Sequence, residues 1–392
     1  MDDMIGGSFR DILGQDTEAS WSECFTTVER LCKLFDQPGP SPVGIIAVTD
    51  HMNARSHRLP EPLLRLAARE PRLAACSEVT CVERDTDGAI RRCPEILLYG
   101  GPDPVAGPFG PHFGISQAII DEIFRDCIDP VSGEVMAGQL IDFCRERHLA
   151  FAMAHPFDGH ELSLEATFDL ISRASFTETV NGGFPAVSTR ILEDLIAFQN
   201  RIVLGFGLPP ELALRFPVAR RLAERIRRQG RGLLHPWGGS DAHSHNFDRV
   251  TMRFLAHRPD PTAGDLFRCM LERPVEQLLA DGTFSICGQP GTAMSVLDDV
   301  SRIVVRNFWS IRPYIQTRPY AFARMVARTF KVVREELGRR DRRQAQMVAD
   351  AEQRFDANAL LQNLILPARI DLARPAASGV LERTLMTASR PM

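Results

Sequence analysis

Short apolar runs alternate with helical stretches of 10 to 15 residues through the first 290 residues of this chain. Strands connected through helices must lie side by side in one direction, so the alternation predicts a parallel α/β sheet or barrel. The first run is Val43–Val48, ending in Thr49-Asp50-His51. Leu73–Val82 is the second, and Ile96–Tyr99 the third, after a hairpin signal at Asp87-Gly88. Ala150–Ala154 and Phe176–Val180 are the fourth and fifth. Arg201–Gly205 and Gly232–Leu234 lead into the last ones. Helical periodicity falls between them, over Ser22–Phe35, Ile115–Arg125, Val135–Glu146, Ser188–Phe198 and Pro217–Gln229. No internal repeat and no low-complexity tract interrupts the pattern.

The character changes near residue 295. From Ser301 to Arg343 there are 12 Lys or Arg against three acids, Glu335, Glu336 and Asp341, in a helical pattern broken at Pro313 and Pro319. A further helix is expected over Arg343–Leu364, followed by a frayed tail. We therefore divide the chain into an α/β domain over residues 5–290 and a basic helical extension over 295–392. For a chain of 392 residues this fits one barrel plus an extension.

Charge and cysteine content narrow the function classes. The formal net charge is −4, so the chain as a whole does not read as a nucleic-acid coat. The basic extension is a local surface for an acidic partner, or a face packed on the barrel or against a second copy in a homo-oligomer. No charge-free apolar run reaches the roughly 18 residues of a membrane span, and the acidic start, MDDMIGGSFRD, is unlike a signal peptide. Nine cysteines with no Cys-x-x-Cys pair read as reduced buried thiols, which points to the cytoplasm. Gly-rich phosphate loops and a Gly-x-Ser-x-Gly elbow are both absent from the sequence.

The chemistry-bearing residues fall at strand ends, where parallel α/β folds build their sites. Asp50 and His51 end the first strand, Glu78 lies inside or at the end of the second, and Glu95 opens the third. His155-Pro156 ends the fourth, and Glu178 and Asn181 the fifth. Asp241, His243 and His245 follow Gly238-Gly239-Ser240. Imidazole nitrogen and carboxylate oxygen together suit Zn, Mn or Fe. They can leave a position open for a water whose proton is lost near neutral pH. Each residue alone is weak evidence, because a single histidine after a strand is commonly a satisfied core or surface group. Asp241-x-His243 is stronger, since alternate residues of an extended segment point the same way.

The order of these segments resembles the PHP (polymerase and histidinol phosphatase) family. The resemblance rests on Val48-Thr49-Asp50-His51, the Glu78 strand, Ala154-His155-Pro156 and Gly239-Ser240-Asp241-Ala242-His243, with Glu178–Gly182 as a further match. It covers roughly residues 5 to 290. It implies a distorted (β/α)7, TIM-like barrel with a multinuclear metal site at its C-terminal rim and metal-dependent phosphoester hydrolysis. By position, His51, Glu78, His155, Asp241 and His243 take metal-ligand roles, and His51 and Asp241 also serve catalysis. Glu95 stands where many members have histidine, and a carboxylate can still ligate. Asp50 reads as an orienting group, and Asn181 and His245 as substrate contacts.

One departure is large. The family opens with His-x-His, and this chain has no histidine before His51. The corresponding stretch, Phe9–Ser20, holds Arg10 and Ile12 at those positions, and neither can ligate. The expectation is therefore one or two divalent ions, with Arg10 replacing an ion as a fixed charge that clamps phosphate. Asp11 and Asp16 are the nearest carboxylates that can substitute. The substrate class is a small phosphorylated molecule or a nucleic-acid end. The competing reading is an inactive PHP-like module that binds a ligand or partner, and a metal-dependent amidohydrolase stands third.

Overall fold

The computed structural model describes residues 44–54, 57–157, 161–182, 189–205, 217–239, 250–254, 260–272 and 284–288, with Gly338, Arg342 and Gln346 as single helical residues. The segments holding Arg10, Asp11, Asp16, the Ser22–Phe35 helix, Asp241, His243, His245, the 290–300 boundary and nearly all of the extension lie outside them.

Seven strands form the central sheet: β1 (Ile46–Met52), β2 (Leu73–Val79), β5 (Ile96–Gly100), β6 (Phe113–Gly114), β8 (Ala150–Met153), β9 (Phe176–Asn181) and β10 (His235–Gly239). Their order is β1-β2-β5-β8-β9-β10, with β6 also pairing β2. The pairs β1–β2, β8–β9 and β9–β10 are parallel. A uniformly parallel sheet was expected, and β5 departs from it, running antiparallel to both β2 and β8. The cause is the hairpin of β3 (Cys81–Arg84) and β4 (Ile90–Arg92), which reverses the chain between β2 and β5. The second expected strand, Leu73–Val82, accordingly divides at Thr80 into β2 and β3. Among the described residues no ladder joins β1 to β10.

Period-2 alternation gives the sheet two apolar faces. Leu73, Ala75, Val79, Ile96, Leu98, Phe151 and Met153 face one cluster, packed under six helices. These are α1 (Glu61–Ala67), α2 (Gln117–Asp126), α3 (Ala137–Glu146), α4 (Leu164–Arg173), α5 (Thr189–Val203) and α6 (Pro217–Arg228). Their buried residues recur every three or four positions, as in Leu140, Ile141 and Cys144 or Phe168 and Ile171. The alternate residues Ala74, Cys76, Leu97, Tyr99, Ala150, Ala152, Ala154, Phe176 and Trp237 form a second cluster on the other face. Small residues sit beside large aromatic ones there, the alternation by which facing side chains interdigitate. Trp237 Nε1 donates to the buried Tyr99 hydroxyl at 2.7 Å, which satisfies the polar tips of both rings.

Helix α7 (Ala263–Leu271) closes this second cluster from one end. Asp265 accepts from the Thr262 backbone at 2.9 Å and fixes its start. Ala263 N then donates to Pro71 O at 3.0 Å, just before β2 begins. A Cβ on Gly264 would lie 2.2 Å from Pro102 O, just after β5 ends, so only glycine lets the helix approach this closely. The N-terminal ends of the parallel strands are thereby plugged. A separate antiparallel pair, β11 (Val250–Phe254) and β12 (Phe284–Gly288), completes the strands described beside β7 (Val135–Met136), which joins β3. Arg201–Gly205, expected to lead into a strand, instead holds the end of α5 through Val203 and the turn that follows it. Ile202 continues the buried stripe of Leu192, Leu195, Ile196 and Gln199, and helical packing overrides the strand preference of its neighbours.

The hairpin is tied to α4 through Asp85, whose side chain is only 6% exposed. Its carboxylate accepts from Ser163 N at 2.9 Å, from the Ser163 hydroxyl and from Thr86 N at 2.6 Å, and pairs with Arg91 at 3.1 Å. Ser163 Oγ in turn caps α4 by accepting from Ala166 N at 3.4 Å. Burial works to raise the Asp85 carboxyl, but these donors outweigh it and hold the group below its ordinary value. A lowered carboxyl contributes stability above its unfolded value and loses it as pH falls through the folded one. Asp85→Ala should cost about 1–3 kcal/mol at neutral pH. Urea titrations should show that difference shrinking as pH drops below about 4. A loss that does not change with pH contradicts this assignment.

Candidate metal centre

The end of the sheet opposite α7 collects the titratable groups. His51 and Glu78 are the final inward residues of β1 and β2, and their Cα atoms are direct partners in the register. Because β5 runs backwards, its start lies at the same end, and Glu95 precedes Ile96 on the face of Leu97 and Tyr99. His155 follows β8 by two residues, with Ala154 N donating to Glu95 O at 2.9 Å. The second apolar cluster thus carries a polar layer above it. Asp50 alternates with His51 and belongs to the opposite face, with Ile46 and Val48.

One donor atom each from His51, Glu78 and Glu95 lies within 4.8 Å of the other two. His51 Nε2 is 3.7 Å from Glu78 Oε2. His155 Nε2 is 3.0 Å from Glu78 Oε1 and 3.5 Å from Glu95 Oε2. Two donors each about 2.1 Å from one tetrahedral ion are about 3.4 Å apart, so these spacings match a shared cation. The carboxylates are buried, with side-chain exposures of 6% for Glu78 and 9% for Glu95, whereas His51 is 38% exposed. His155, at 11%, is shielded like the carboxylates, so His51 is the most exposed donor of the four. Four of the six residues expected as metal ligands, His51, Glu78, Glu95 and His155, therefore converge. Asp241 and His243 lie outside the described residues, as do His245 and Arg10.

The two carboxylates are not equivalent. Burial raises Glu78, although His51 and His155 pull the other way. Glu95 is opposed by burial as well, yet the charges of His155, His51 and Arg92 with the Thr80 hydroxyl carry it down to about 2. Thr80 Oγ1 donates to Glu95 Oε1 at 2.8 Å and Arg92 approaches the same oxygen at 3.3 Å. That leaves Oε2, the oxygen nearest His155, turned toward the cluster. Arg92 is half-exposed, so a guanidinium stands at the rim.

Glu178 is the residue to which the sequence reading gave no role. It is buried on the inner face of β9, and its Oε2 accepts from His155 N and from Asn181 Nδ2, both at 2.9 Å. Asn181, expected to contact substrate, is itself buried and is a donor to this carboxylate. No family model, curated protein or solved structure matches the chain. No helix among the described residues is long and apolar enough to cross a membrane.

Proposed function

We propose that this protein is a metal-dependent hydrolase acting on phosphoesters, with the described sheet as the greater part of a distorted (β/α)7 barrel of PHP type. The observation that carries the reading is the meeting of His51, Glu78, Glu95 and His155 at the end of the sheet opposite α7. Buried carboxylates placed against two imidazoles form the donor mixture that Zn, Mn or Fe accepts. His51, Glu78, Glu95 and His155 would hold an ion, and Asp241 and His243, following β10 in sequence, would supply the donors of a second. Such an ion provides Lewis acidity and brings the pKa of a water toward neutrality. Thr80 and Arg92 fix Glu95, so that its second oxygen faces the cluster. Arg92, and Arg10 if it reaches the site, supply positive charge for a small phosphorylated substrate or a nucleic-acid end.

A second reading has its own support. The His155–Glu78 and His155–Glu95 pairs satisfy one another within hydrogen-bonding or near-bonding reach, as expected of a barrel whose site is closed by ion pairs and serves to bind a partner. Metal analysis of the purified full chain, with a phosphoester panel run on the same sample with added Mn or Zn, separates the two. The hydrolase reading expects about one or two ions per chain and chelator-sensitive phosphate release. Full folding with no bound metal and no phosphate release favours the binding module.

A further inference from the structure

We infer that Glu178 is a positioning residue that holds the His155 backbone in the turn which aims the imidazole at Glu78 and Glu95; this rests on the metal reading above. His155 has a φ of 22°, in a region that side-chain-bearing residues rarely occupy and that strains the backbone. Pro156 follows it and further narrows the backbone conformations open to it. A strained residue persists only where its surroundings over-determine it. Here the restraint is visible: a buried carboxylate accepts the His155 N–H at 2.9 Å, a charge-assisted bond stronger than a neutral one. The same oxygen accepts from Asn181 Nδ2, which fixes the carboxylate in turn.

The neighbouring strand is shaped to admit this carboxylate. A Cβ on Gly239 would lie 2.2 Å from Glu178 Oε1, so the end of β10 must be glycine for Glu178 to keep its place. The register of β9 against β10 shifts between Trp237 and Gly238, immediately before this contact. The side chain of Glu178 therefore links three strand ends: its own on β9, Gly239 on β10 and His155 after β8. Without it, the His155 N–H loses its carboxylate acceptor and the positive-φ turn loses this restraint. Its imidazole would then leave Glu78, 3.0 Å away, and Glu95.

The test compares Glu178→Leu and Glu178→Gln in the full chain. Leucine removes the acceptor and leaves two buried donors facing it. Glutamine can place its amide oxygen where Oε2 now lies and keep both bonds. Two readouts are needed: the chemical shift of the His155 backbone amide in metal-free protein, and Co(II) titration followed by its visible d–d spectrum. Expected for Glu178→Leu are an upfield move of that amide and Co(II) binding weaker by roughly 10–100-fold with an altered spectrum, whereas Glu178→Gln retains most of the parent affinity. If Glu178→Leu does not fold, Gly239→Ala displaces the same carboxylate and should reproduce both changes. An unmoved amide, or parent-like Co(II) affinity and spectrum in the leucine or alanine variant, overturns the positioning role. Failure of the parent chain to take up Co(II) instead overturns the metal reading, and the amide shift alone then decides whether Glu178 holds His155.

Discussion

Replacing Glu78 by Gln is expected to lower affinity for a divalent ion by more than the roughly 10–100-fold that follows loss of an outer hydrogen-bond partner. Glu78 is central to the cluster, touching both His51 and His155 and lying beside Glu95. An amide keeps its volume and its acceptor for His155 Nε2 but is a poor ligand. The metal-free protein should respond in the opposite direction. Burial raises the Glu78 carboxyl, so the folded state binds its proton more tightly than the unfolded chain does. Its contribution is then full below the unfolded value and is lost as pH rises through the folded one. Gln removes that dependence, and thermal unfolding of the metal-free variant at neutral pH should give stability equal to the parent's or higher. Lower stability together with unchanged metal affinity contradicts the ligand role and makes Glu78 a structural residue.

Phe176→Ala is expected to cost about 3–5 kcal/mol, the usual range for emptying a buried phenylalanine site. Phe176 is 1% exposed at the start of β9, with its ring edge-on to Trp237 at 5.3 Å and beside His235 at 5.2 Å. The same cluster includes Ala74, Ala150, Ala152, Ala154 and Ala263, whose side chains are too short to fill the space. The floor beneath the polar layer should therefore soften. Denaturant titration should show a lower midpoint at an unchanged m-value. A loss under about 1 kcal/mol shows that the inner cluster collapses onto the cavity, which the account does not allow.

The sequence pointed to the site more clearly than to the sheet. An apolar run followed by His or an acid marks a strand end in any parallel α/β fold, so His51, Glu78 and His155 were visible in one dimension. Glu95 was visible as a residue, but its position depends on the reversal of β5. Asp87-Gly88 signals the hairpin, yet a turn signal does not say how the next strand pairs across the sheet. Ile202 and Val203 resemble a strand because β-branched residues favour one, and only the stripe running back to Leu192 marks them as helix. The inner cluster of alanines, Tyr99 and Trp237 is legible only once the register pairs the strands. Glu178 was hidden for a different reason. An acid inside a strand reads alike whether it binds an ion or accepts a backbone N–H, and the distinction comes from a chain reversal 23 residues away.

Anomalous diffraction from crystals of the full chain grown with Mn or Zn tests the central claim most directly. The account predicts a peak between β1, β2 and β5, at about 2.0–2.2 Å from a His51 nitrogen and from Glu78 and Glu95 oxygens, with His155 completing the set. Well-ordered crystals in which His155 stays paired with Glu78 and Glu95, and no peak lies between these residues, would contradict it.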